Sequence, residues 1–109
     1  NAPVKLFAPA SGASFSYVER PPLVNFAWSQ GALSRAYEIE ISSSAQFPEG
    51  STQKVELATN AYSLRNLSAG TYYWRVRTRP TLAGVASLTS APRSFRVTKR
   101  DGFAALSIG

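Results

Sequence analysis

Apolar and polar residues alternate along most of this chain, and no stretch of ten or more residues shows the apolar spacing of an amphipathic helix. Strands are expected throughout. Leu23 to Trp28 sets Val24, Phe26 and Trp28 on one face and Asn25 and Ala27 on the other, the signature of a half-buried strand. Tyr37 to Ser42 alternates most cleanly, with Tyr37, Ile39 and Ile41 inward and Glu38 and Glu40 outward. Thr71 to Thr78 turns Tyr72, Trp74 and Val76 inward and Tyr73, Arg75 and Arg77 outward. Shorter strands are predicted at Val4 to Phe7, an edge position between Pro3 and Pro9, at Val55 to Leu57, at Tyr62 to Leu64, and at Ser94 to Thr98 with Phe95 and Val97 inside. Tyr17 falls on an early loop, and Phe47, an apolar residue in a polar loop, is expected to fold back and plug the end of the core. Turn residues separate the strands, so the fold class is all-β: a seven-stranded antiparallel β-sandwich over residues 4–98. Residues 1–3 read as a start segment or linker, and 99–109 as a C-terminal extension or linker.

Composition restricts the chemistry more than the fold. With 109 residues, 44% hydrophobic and 17% charged, the chain has the make-up of one folded domain. It contains no Cys, so packing rather than disulfides must hold it. There is also no His, and Asp101 is the only aspartate. A serine nucleophile would need Lys5, Lys54 or Lys99 as its base, and these are scattered; Glu38 and Glu40 share one flat strand face rather than a pocket. No enzyme activity, metal or cofactor is expected. No apolar run approaches the roughly 20 residues of a membrane span.

The charge balance, twelve Lys plus Arg against six Asp plus Glu, raises the question of an anionic partner. Tyr73, Arg75 and Arg77 form an outward stripe, with Arg96 one strand away. These four, together with Tyr17, are the candidate binding residues. A structural role competes with a binding one, because outward carboxylates such as Glu38 and Glu40 would face the arginines as cross-strand pairs if their strand lies beside this one. The basic residues are spread from Arg20 to Arg100 rather than clustered, so no nucleic-acid partner is expected. Trp28 and Trp74 fall on the inner register and belong to the core rather than to a sugar-stacking platform. Tyr17 and Tyr73 are the better aromatic platforms.

The run Leu67-Ser68-Ala69-Gly70-Thr71-Tyr72-Tyr73-Trp74-Arg75-Val76-Arg77 resembles the entry to the sixth strand of bacterial fibronectin type III-like domains, members of the immunoglobulin-like sandwiches. Phe26-Ala27-Trp28, Ala36-Tyr37-Glu38-Ile39, Phe47 and Ser90 to Val97 resemble further landmarks of that family in the right order. The family resemblance implies that the strand carrying Glu38 and Glu40 lies beside the one carrying Arg75 and Arg77. The sixth-strand tyrosine of animal modules usually lies six residues after the leucine, which would be Tyr73, whereas the alternation here buries Tyr72. The pattern is also similar to the sandwich modules of FecR-like cell-envelope proteins. That resemblance implies a piece of a larger exported bacterial protein, located in the periplasm or cell envelope. It implies a non-catalytic spacer or interaction module whose partners are neighbouring domains or another protein. The alternative is a module binding cell-wall glycan, peptidoglycan in particular, through exposed Tyr and Arg.

Overall fold

The computed structural model describes residues 4–30, 34–80 and 86–100. Eight strands run through them: β1 (Leu6–Ala8), β2 (Ala13–Tyr17), β3 (Val24–Trp28), β4 (Ser34–Ser42), β5 (Thr52–Leu57), β6 (Ala61–Leu64), β7 (Gly70–Pro80) and β8 (Arg93–Lys99). They form a three-stranded sheet in the order β1-β3-β6 and a five-stranded sheet in the order β2-β8-β7-β4-β5. The inward registers read from the alternation are the ones buried. Val24, Phe26 and Trp28 from one sheet meet Tyr37, Ile39, Ile41, Trp74, Val76, Phe95 and Val97 from the other in a single core.

Aromatic rings centre that core. The Phe26 ring stands edge-on to Trp74 at 5.1 Å and to Phe95 at 5.7 Å, while Trp28 meets Tyr37 at 5.8 Å. Each such ring withdraws roughly 150–250 Å² from water, which lets a small domain without disulfides hold together. Tyr72 points inward and stacks on Phe95 at 5.6 Å, and its hydroxyl donates to the Ser68 carbonyl at 2.6 Å. The tyrosine that ties the entry of β7 to the preceding turn is therefore Tyr72, as the alternation indicates.

The strand count differs from the seven expected because the chain forms β2 where a loop was predicted. Ala13, Phe15 and Tyr17 pack against the core while Ser14 and Ser16 face solvent. Tyr17 is thus a half-buried strand residue, not a loop residue. β2 pairs with β8 in parallel, from Ala13 opposite Phe95 to Tyr17 opposite Lys99, and is the one departure from antiparallel pairing among the described strands. Between β1 and β2 the chain crosses from one sheet to the other. The crossing contains a cis Ala8-Pro9 peptide and Gly12 at φ +79°, a left-handed conformation that a side chain would strain.

Register also fixes where the chain enters and leaves. β1 starts beside the end of β3, where the Ser29 amide donates to the Lys5 carbonyl at 2.8 Å and the Lys5 amide to Ser29 Oγ at 2.7 Å. β8 ends beside the end of β2, where the Arg100 amide donates to the Tyr17 carbonyl at 2.6 Å. These are opposite poles of the sandwich. Of the C-terminal extension expected over residues 99–109, Lys99 closes β8 and Arg100 follows it, while residues 101–109 lie outside the described residues.

Candidate functional site

The outward stripe exists, but most of it is occupied by the protein itself. Glu40 lies opposite Arg75 and Glu38 opposite Arg77 across the β4–β7 pair, the cross-strand arrangement that the family resemblance implies for these outward residues. Arg75 Nε donates to Glu40 Oε1 at 2.7 Å, and that carboxylate is only 1% exposed against 30% for the Arg75 side chain. Burial of a carboxylate on the outer face of a sheet needs a cover. Arg75 lies across it and is itself backed by Phe47, whose ring lies 4.1 Å from the guanidinium carbon and whose amide donates to the Ser44 carbonyl at 3.1 Å.

Phe47 is buried but stands apart from the core cluster. It does not plug the end of the core, as its loop setting suggested; the β4–β5 connection folds over the outer face and lays the ring against Arg75, the partner of Glu40. Phe47 holds φ at +52°, which costs a residue with a Cβ about 1–2 kcal/mol. Ring burial and the cation–π contact offset that strain.

The next arginines divide differently from the straight-across pattern. Arg79, rather than Arg77, reaches Glu38 at 3.6 Å and Glu56 on β5 at 3.1 Å. Lys54 binds Glu49 at 3.0 Å, and that hydrogen bond, followed by the carboxylate charge, raises the lysine pKa above its usual value. Arg77 and Arg96 are exposed and make no ion pair among the described residues. Counting Lys54, Arg75, Arg77, Arg79 and Arg96 against Glu38, Glu40, Glu49 and Glu56, this side of the sandwich carries five cations and four carboxylates, all four of the latter paired. Little net field is left to attract a polyanion.

The two candidate tyrosines are not brought together. Tyr17 packs inward against the core and Tyr73 is half-buried on the outer face of β7, so the five-stranded sheet lies between them. A cleft of about 350 Å³ opens where β1 passes the segment before β8, lined by Val4, Leu6, Ser90 and Arg93 among others. Its polar groups are turned to the backbone: Arg93 donates to the carbonyls of Phe7 and Pro9 at 3.3 Å, and Ser90 Oγ accepts from the Val76 amide at 3.0 Å. Among the described residues no group of three or more His, Cys, Asp or Glu is placed to hold a metal ion, and no helix is long and apolar enough to cross a membrane.

Several solved structures share this architecture, and two illustrate it. Fibronectin(III)-like modules of Clostridium thermocellum CbhA superpose with a TM-score of 0.59 at 12% identity, covering 87% of this chain and 94% of theirs. The fold is fibronectin type III-like. CopC from Methylosinus trichosporium OB3b superposes with a TM-score of 0.53 at 17% identity, covering 91% of this chain and 97% of its own. At such identities the likeness of this fibronectin type III-like chain to both is one of fold. No protein-family model and no curated protein matches it.

Proposed function

We propose that this chain is a non-catalytic module of a larger exported bacterial protein of the periplasm or cell envelope, spacing neighbouring domains or docking on a protein partner. The observation that carries the reading is the entry and exit of the chain at opposite poles, which suits a unit threaded in line. The FecR-like sequence landmarks support the envelope setting. The outer face supports a role without chemistry, since all four of its carboxylates are held in ion pairs with Arg75, Arg79 and Lys54. A glycan platform finds less support, because Tyr17 and Tyr73 lie on opposite faces of one sheet.

Small-angle scattering tests the spacing role on the protein flanked by one compact reference domain at each end. β7 alone spans eleven residues, or about 35 Å at roughly 3.3 Å per residue. The expected distance distribution has two lobes held apart by at least that length. Collapse of the flanking domains onto one another would overturn the spacer reading.

A further inference from the structure

The pole at which β8 ends combines features that the stripe lacks. Three large hydrophobic side chains stand in solvent among the described residues, and two of them, Val18 and Leu23, belong to the β2–β3 connection. This connection crosses the pole from one sheet to the other, leaving β2 beside the end of β8 and joining β3 where Val24 lies opposite Leu64 of β6. Lys99 and Arg100 therefore flank Val18, Arg65 follows Leu64 beside Leu23, and Arg20 lies between the two aliphatic residues. All four cations are exposed, and none makes an ion pair among the described residues. Glu19 is the one carboxylate in the connection; Glu49, in the loop after β4, is already held by Lys54.

Exposed aliphatic side chains interspersed with cations of one sign suit a protein interface, and charges of one sign select their complement. We infer that this pole docks on a protein partner whose surface presents aliphatic side chains ringed by Asp and Glu. The inference rests on reading the chain as an interaction module and adds the chemistry of the partner. A second copy does not fit. Pole against like pole would bring four cations against four, and the opposite pole offers Lys5 and the balanced cluster of Arg79 with Glu38 and Glu56 rather than a negative surface.

The test is an NMR titration of the labelled protein with an acidic aliphatic peptide, acetyl-Asp-Glu-Leu-Leu-Glu-Asp-amide, beside its Asn/Gln counterpart. The acidic peptide is expected to shift the amides of Val18, Arg20, Leu23, Arg65 and Lys99, and the neutral one to leave them still. Arg20→Glu with Arg65→Glu should weaken binding at least tenfold, whereas Arg77→Glu with Arg96→Glu on the sheet face should change it less than twofold. Several-fold weakening between 50 and 300 mM salt is expected from screening. Absence of shifts at the pole, or equal binding by the Arg20/Arg65 variant, overturns the inference. Stronger binding to 3:1 phosphatidylcholine/phosphatidylglycerol vesicles than to the peptide overturns it in favour of a lipid surface, and salt-sensitive dimerisation does so in favour of a second copy. A negative titration with two lobes still seen in scattering would remove the acidic partner and leave the spacer role intact.

Discussion

Glu40 is the residue on which the outer face depends. A carboxylate so enclosed is tolerable because Arg75 neutralises it, and Arg75 stays in place because Phe47 lies against its guanidinium. Removing one member of a buried pair strands the other charge, so Arg75→Ala is expected to destabilise the fold by about 3–5 kcal/mol in urea denaturation. Glu40→Gln should cost less, since the Arg75 side chain reaches solvent and can be hydrated there. Phe47→Ala should also destabilise, and the Phe47/Arg75 double variant should lose less than the sum of the singles because both act on the same carboxylate. Strict additivity would refute the shared arrangement. Alternation turns Glu38, Glu40, Arg75 and Arg77 outward and the family resemblance sets their strands side by side; the structure supplies the register that puts Glu40 opposite Arg75. Alternation could not reveal the ring that backs Arg75, because Phe47 sits in a loop whose path depends on what the loop finds to pack against.

At the scale of elements, alternation was a reliable guide where a strand has one dry face and one wet face. β3, β4 and β7 satisfy that condition, and their inward residues are the ones observed in the core. β2 was missed for a physical reason: it is an edge strand with inward residues only half-buried, and its Ser14 and Ser16 resemble loop composition. The pattern Ala13-Phe15-Tyr17 was present, but its partner in parallel pairing lies some eighty residues away along the chain. The entry to β7 offers a clean test of register. Tyr72→Phe removes the bond to the Ser68 carbonyl and should cost about 1 kcal/mol in thermal or urea unfolding. Tyr73→Phe, in the same strand and on the other face, should stay within about 0.5 kcal/mol. The reverse order would mean that the animal-module spacing, not the alternation, describes β7.

For the whole molecule, excess positive charge is a poor guide to partners unless its counter-charges are located. The stripe of Tyr73, Arg75 and Arg77 with Arg96 has the make-up of an anion-binding face, but with Lys54 and Arg79 its side of the sandwich sets four carboxylates among five cations. Titration with heparin is accordingly expected to show no saturable binding centred on that face, and Arg77→Glu with Arg96→Glu should not alter whatever weak retention occurs. A steep salt dependence lost in that variant would restore the anion-binding reading. Besides Arg77 and Arg96, four cations without an ion pair among the described residues gather at the pole, where Arg20 and Arg65 lie on the same end of the sandwich as Lys99 and Arg100. These residues come from three separate stretches of sequence, so only the topology reveals that they are neighbours.

The parallel pairing of β2 with β8 has a mechanical consequence. If tension were applied through the two ends of the described chain, β2 would be drawn toward the entry pole and β8 toward the exit pole. Their five registered residue pairs, from Ala13–Phe95 to Tyr17–Lys99, would then slide past one another rather than peel apart. The ladder hydrogen bonds lie across the direction of pull and share the load, whereas bonds in a peeled hairpin fail one after another. The strand that was hardest to see in the sequence is thus placed as the clasp that would resist stretching.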